Sequence, residues 1–256
     1  MVDQLQYVLA ALSGVAVGFT LGLVGGGGSI LAVPLMVYVV GVKNPHLAIG
    51  TSALAVAANA LAGLASHARA HNVNWRCGGA YALAGVLGAF AGSSAGKAFD
   101  GQKLLLAFAF LMLVVGVLMF RNRGQKGVEG VVCNRDNFPK VTAFGFGTGV
   151  LSGFFGIGGG FLIVPGLVAS TAMSVSRAVG TSLVAVSAFG LTTALNYAAS
   201  GLVDWPLAGS FIAGGVIGSV AGTALSQRLA AHKGRLTTVF AALVMVVAAY
   251  MIWRGL

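Results

Sequence analysis

Acidic residues are almost missing from this chain. Asp3, Asp100, Glu129, Asp136 and Asp204 are the only five, and charged residues of both signs amount to 8 % of the sequence. An ordinary soluble domain carries about 25 %, so no water-soluble fold of 256 residues could cover its surface with this set. All five acids lie in loops or near the ends of apolar runs, which removes the mid-membrane carboxylate that a cation or drug pump would need. Cysteine is scarce too. Cys77 and Cys133 have neither the spacing of a metal site nor a disulfide framework around them. There is no H-E-x-x-H and no intramembrane Asp pair, which argues against an intramembrane protease, and neither glycine run is followed by Gly-Lys-Ser/Thr, which excludes a nucleotide P-loop. The chain begins MVDQ, which lacks the positive n-region of a cleaved signal peptide.

What is abundant is apolar residues, at 57 %, and glycine, at 40 residues where roughly 7 % is typical. Without triplet periodicity or polarity, that glycine points to close helix packing and backbone breaks inside a membrane. The net charge of +10 comes from Lys and Arg scattered between apolar runs, a membrane-surface distribution with no nucleic-acid partner implied. The lipid bilayer is the partner that composition implies.

The chain is one unit written twice. Gly25, Gly27, Gly28 and Pro34 recur as Gly156, Gly158, Gly159 and Pro165, displaced by 131 positions, and Gly50-Thr51-Ser52 recurs as Gly180-Thr181-Ser182, displaced by 130. A repeat of this length is two copies of one supersecondary unit. The uncharged run between Asp3 and Lys43 would make a helix of roughly 58 Å, about twice the bilayer core. It must turn, and the glycines are where it can.

Five hydrophobic segments per half follow: about 5–24, 28–41, 46–66, 77–96 and 104–120, then their counterparts from about 141, with the eighth near 178–203 and the tenth near 236–253. The units are therefore 1–120, a polar linker over 121–140, and 141–256. Gly14, Gly18 and Gly22, Gly88, Gly92 and Gly96, and Gly214, Gly218 and Gly222 make flat faces for neighbouring helices. Leu-rich segment 5 reads as facing lipid. An odd number of segments sends the second half in from the opposite side, and the face holding the linker then gathers eleven Lys and Arg against four. The fold class expected is all-α polytopic, with two inverted-topology repeats and glycine-rich breaks between segments 1–2 and 6–7. The linker is expected in the cytoplasm.

Helices that begin at the glycine runs would aim unpaired N–H groups and a positive dipole end at an anion. The candidate substrate site is Gly26, Gly27, Gly28 and Ser29 with Thr51 and Ser52, facing Gly158, Gly159 and Gly160 with Thr181 and Ser182. The plain alternatives are a tight interhelical turn for each run and backbone bonding for each hydroxyl. Asn59, His67, Arg69, Arg177 and Asn196 are candidates for gating or secondary polar contacts, although Asn59 and Asn196 do not occupy equivalent places in the two halves. Gly92-Ser93-Ser94-Ala95-Gly96 has the G-x-S-x-G form but lies on an apolar helix with glycines four apart, where packing is the better account. No catalytic residue, metal or cofactor is expected.

GLVGGGGSILAVPL, HLAIGTSAL and SHARAHNVNWR in the first half, and GFFGIGGGFLIVP, RAVGTSLVAV and GLVDW in the second, resemble the TauE/SafE-type sulfite exporters, also called toluene-sulfonate uptake permeases. The resemblance covers nearly the whole chain. It implies a multi-pass permease in the plasma membrane, the inner membrane in a bacterium, that moves a small sulfur-containing anion such as sulfite, an organosulfonate or thiosulfate. It also implies that the ligand lies between the repeats at the residues named above. The acid of the family's V-D-W is Asn74 here. A permease for another small anion or neutral sulfur metabolite, and a non-transporting membrane scaffold subunit, are the alternatives.

Overall fold

In the computed structural model of the protein, the described residues are 4–121, 133, 137–158, 160–228 and 233–255. They form helices without an extended strand among them. The first half comprises α1 (Gln4–Val24), a return arm, α3 (Pro45–Arg69), α4 (Trp75–Ala98) and α5 (Gly101–Arg121). The return arm winds as a 3-10 helix (Gly25–Leu31), one turn of α-helix, α2 (Ala32–Pro34), and a π-helix (Leu35–Val39). The second half repeats this as α6 (Phe138–Phe155), α7 (Gly160–Thr171), α8 (Val175–Ala198), α9 (Trp205–Arg228) and α10 (Lys233–Gly255). Among the described residues, five stretches are long and apolar enough to cross a membrane, including Gln4–Val39, Pro45–Arg69 and Val175–Ala198. Leu87 and Phe90 on α4, and their counterparts Ile217 and Val220 on α9, are exposed, as a lipid-facing belt requires. Trp75 and Trp205 stand exposed at the first residues of α4 and α9, where interface anchors belong.

The predicted glycine faces are what join the halves. On α1, a methyl group added to Gly14, Gly18 or Gly22 would overlap the carbonyl oxygens of Phe211, Gly215 or Ser219 on α9. On α4, the same addition at Gly88, Gly92 or Gly96 would overlap those of Phe146, Val150 or Phe154 on α6. Each contact series advances in the same direction along both partners, so both pairs are parallel. Only residues without a side chain let two backbones approach this closely. Segment 5 is not wholly lipid-facing: Leu104, Phe108 and Met112 are buried, while Phe110, Val114 and Leu118 are exposed, because α5 packs one side on α10.

The central pair is α3 and α8. Gly50, near the start of α3, packs on Tyr197 and Leu202 at the end of α8, and Gly180, near the start of α8, packs on His67 and Asn72 at the end of α3. The two equivalent helices therefore run antiparallel. Positive φ also recurs at equivalent places: Gly25 (+74°) and Gly156 (+67°), Gly41 (+82°) and Ala172 (+58°), His71 (+52°) and Gly201 (+70°).

Two expectations are corrected. The first glycine run does not precede a helix but forms part of one. Gly25 alone reverses the chain in the left-handed region, which a residue without Cβ adopts freely, so winding resumes at once as the 3-10 helix. The cysteines are also paired: Cys77 and Cys133 form a disulfide with Cα atoms 5.5 Å apart across a separation of 56 residues. Sequence spacing carried no sign of it, because the pairing depends on the linker's far end returning to the first turn of α4.

Candidate functional site

The two glycine runs meet in the middle of the molecule. A methyl group on Gly160 would overlap the Gly26 carbonyl, and one on Gly26 would come within 2.7 Å of the Gly160 Cα. The meeting point is walled by Val56 of α3 and Val186 of α8, which lie against Gly158 and Gly26 respectively. Each of these valines is about eleven residues into its helix, near its midpoint. Around the contact, the Gly26 N–H donates to Ser182 Oγ at 3.2 Å and Ser29 Oγ donates to the Gly26 carbonyl at 2.9 Å. Ser52 and Ser182 each donate to the carbonyl three residues back, Ile49 at 3.0 Å and Val179 at 2.7 Å. Those same two residues pack on the corners at Gly156 and Gly25. Gly26, Ser29, Gly158, Gly160 and Ser182 are buried around this contact, and Gly27, Gly28 and Ser52 are buried as well. Gly159 lies outside the described residues. Gly27 is the roomiest of the run: an added methyl would find Val24 Cγ1 at 3.3 Å and Phe240 Cε1 at 3.5 Å, with no backbone in the way.

The two threonines of the Gly-Thr-Ser triplets do something the sequence did not suggest. Thr51 Oγ1 accepts the Asp204 N–H at 3.0 Å and Thr181 Oγ1 accepts the Asn74 N–H at 2.9 Å. Each half thus holds the loop before the fourth helix of the other. Asp204 Oδ1 in turn accepts the Leu207 N–H at 3.0 Å, and Asn74 Oδ1 accepts the Cys77 N–H at 3.2 Å. Both side chains cap the first turn that follows, a task amide and carboxylate perform equally well. The Asn for Asp exchange in N-V-N-W is therefore explained by capping.

The secondary polar candidates divide between two places. His67 is 3 % exposed, its Nδ1 3.5 Å from Asn72 Nδ2, which donates to the Ser176 carbonyl at 3.1 Å. This ties the end of α3 to the start of α8. Arg69 is exposed and Arg177 half-exposed at that same end of the pair. Asn196 sits at the opposite end, where Lys97 Nζ donates to its carbonyl at 2.9 Å, its Oδ1 at 2.8 Å and Ser200 Oγ at 2.8 Å. Asn196 Nδ2 completes the clasp by donating to Ser93 and Ser94 at 2.6 and 3.0 Å. Those serines are the two of the G-x-S-x-G match, which is helical and joins α4 to α8. For Lys97, the one signal in the sequence is its place one helical turn past Ser93. Asn59 stands apart from both clusters, fully buried in α3.

These features define an α-helical, multi-pass membrane protein made of two copies of one unit, joined backbone to backbone at a buried polar centre. The sequence profile of the family described as "Sulfite exporter TauE/SafE" matches residues 10–251, and the chain belongs to that family of membrane transporters. It is 54 % identical over 249 residues to a "Probable membrane transporter protein" of Xylella fastidiosa strain 9a5c, covering 95 % of this chain and 94 % of that one. It is 25 % identical over 246 residues to "Probable membrane transporter protein YunE" of Bacillus subtilis, covering 88 % and 90 %. It is 28 % identical over 194 residues to "Probable membrane transporter protein MJ0441" of Methanocaldococcus jannaschii, covering 70 % and 69 %. No solved structure gives a significant match.

Proposed function

We propose that this transporter carries a small sulfur-containing anion, of the sulfite, organosulfonate or thiosulfate class, and binds it where the two glycine runs meet. The single observation that carries the reading is the contact of Gly26 with Gly160 between antiparallel copies of one helix. The Gly26 N–H, the Ser29 and Ser182 hydroxyls and the start of α7 lie at that contact, the N–H and both hydroxyls bonded within the protein while the runs are closed, and no acid lies in any apolar run. Broken backbone is tolerated at membrane depth only where protein or a polar cavity satisfies it. Donors without counter-charge suit an oxyanion. Parting of the two runs would open room for the ligand between the halves, and closure would return Gly26 to Gly160.

The antiparallel arrangement of α3 and α8 supports inverted insertion of the halves, the plan of many secondary transporters. The Lys and Arg excess supports a cytoplasmic linker and, in a bacterium, the inner membrane as the location. A reducing cytoplasm would hold Cys77 and Cys133 as thiols, closing to the disulfide on oxidation.

The test is flux into proteoliposomes across a panel of sulfite, thiosulfate, sulfoacetate and taurine, with a quaternary amine as control. Saturable uptake of at least one sulfur anion, and none of the amine, is expected. Amine transport without anion flux would overturn the reading.

A further inference from the structure

Asn59 is a buried polar side chain with nothing to bond. It is 0 % exposed near the middle of α3, and neither its Oδ1 nor its Nδ2 has a hydrogen-bond partner. Across the interface with α9, Ser219 is likewise 0 % exposed and its Oγ has no partner. The two groups face one seam. A methyl group on Gly215 would overlap the Asn59 amide, and one on Gly63 would lie 3.3 Å from Ser219 Oγ. Asn59 and Gly63 are one turn apart on α3, as are Gly215 and Ser219 on α9.

The repeat supplies its own control. At a displacement of 130, Asn59 corresponds to Phe189, Gly215 to Gly85, and Ser219 to Ala89. The equivalent contact exists: a methyl group on Gly85 would overlap the Phe189 ring, which stacks on Tyr81 with centroids 6.4 Å apart and planes at 20°. In the second half an aromatic ring stands in place of the amide, and the seam's buried polar atom is Thr193 Oγ1, at the place of Gly63 and likewise without a partner. In the first half the same geometry leaves one amide and one hydroxyl unsatisfied. Burying such groups away from water costs folding free energy unless a partner is supplied. In a membrane-spanning helix, a buried polar residue with no structural partner is a mark of a pathway.

We propose that the Asn59–Ser219 seam is a cargo-binding step present in one half only. Asn59 Nδ2 and Ser219 Oγ donate to the oxygens of the ligand, and Asn59 Oδ1 accepts a hydrogen bond from it. This rests on the sulfur-oxyanion reading above and sharpens it, because a group that both gives and takes favours an oxyanion bearing its own proton. Hydrogensulfite satisfies all three atoms; an alkyl sulfonate leaves Oδ1 unmatched. Val56, one turn before Asn59, is the residue that touches Gly158, so the seam adjoins the glycine centre.

The experiment uses the full chain in proteoliposomes with radiolabelled sulfite, comparing wild type, Asn59→Leu, Ser219→Ala and the graft of the second half's residues, Asn59→Phe with Ser219→Ala. Uptake kinetics and the thermal midpoint without substrate are both measured. Asn59→Leu and the graft are expected to lose at least about tenfold in kcat/KM, with the unliganded midpoint equal to or above wild type, because an unsatisfied polar group has been removed. Should the larger substitutions fail to fold, Ser219→Ala removes one oxygen only and decides the matter, with a several-fold rise in KM expected. Unchanged sulfite kinetics in folded Asn59→Leu or in Ser219→Ala would overturn the inference and leave the transport reading standing. Absence of sulfur-anion flux in wild type would overturn both.

Discussion

Three left-handed corners stand at equivalent places in the two halves: Gly25, Gly41 and His71 in the first, Gly156, Ala172 and Gly201 in the second. The threonines that hold the opposite loops, and the glycine faces that join α1 to α9 and α6 to α4, are shared in the same way. The halves differ in the arm that follows the first corner. In the first half it winds as 3-10, one α turn and π; in the second it is the regular α7. They differ also at Asn59 and Phe189, and at Lys97, whose clasp on Asn196 belongs to the first half's fourth helix. The shared features hold the two halves together. The features that only one half has lie along α3, α4 and the return arm.

The sharpest break of this comparison is at the point where the halves touch. Gly160→Ala drives a methyl group into the Gly26 carbonyl and should cost about 3 kcal/mol or more, the upper range of overpacking, seen as loss of a cooperative thermal transition in detergent. Gly27→Ala meets only side-chain carbons and should change stability by less than about 1 kcal/mol. Equal effects at the two positions would mean that the contact between the runs is not what holds the centre.

On the packing faces, Gly88→Ala and Gly218→Ala meet the Phe146 and Val150, and the Val15 and Phe19, backbones respectively. Each should lower stability by about 1–3 kcal/mol and leave the sulfite binding constant unchanged. Because the two are equivalent in the repeat, their costs should agree, and a gap wider than about 1 kcal/mol would argue against equal roles for the two interfaces.

Thr51→Val and Thr181→Val each remove the acceptor of one loop N–H, worth about 1–3 kcal/mol when the donor stays buried. If either lowers transport far more than stability, that hydroxyl also meets the ligand and holding the opposite loop is not its whole role. The smallest effect is at the second corner. Ala172→Gly should stabilise by up to about 1 kcal/mol by relieving left-handed backbone strain, and Gly41→Ala should destabilise by a similar amount, both read from chemical unfolding.

The repeat, the membrane class and the packing glycines were legible in the sequence because each depends on periodicity and composition. Gly14, Gly18 and Gly22 declare a helix face by spacing alone. The Cys77–Cys133 bond was not legible, since nothing local to either residue records where the linker returns. The roles of Thr51 and Thr181 were hidden for the same reason: their partners are in the other half, 153 and 107 residues away. A two-fold structure repeats its braces as faithfully as its sites, so a shared position does not by itself distinguish the two. Asn59 and Asn196 looked alike in sequence, both neutral amides in apolar helices. Geometry separates them, since Asn196 is fully engaged across α4 and Asn59 is engaged with nothing.

The proposed transport plan requires one unit inserted twice in opposite directions. The direct measurement is the side of the membrane reached by the loop after α3 and by the loop after α8. Single cysteines at His71 and Gly201, the equivalent left-handed corners, would be placed in a chain carrying Cys77→Ser and Cys133→Ser. An impermeant thiol reagent should label position 71 only in inverted vesicles and position 201 only in intact spheroplasts. Labelling of both positions from the same side would contradict the account.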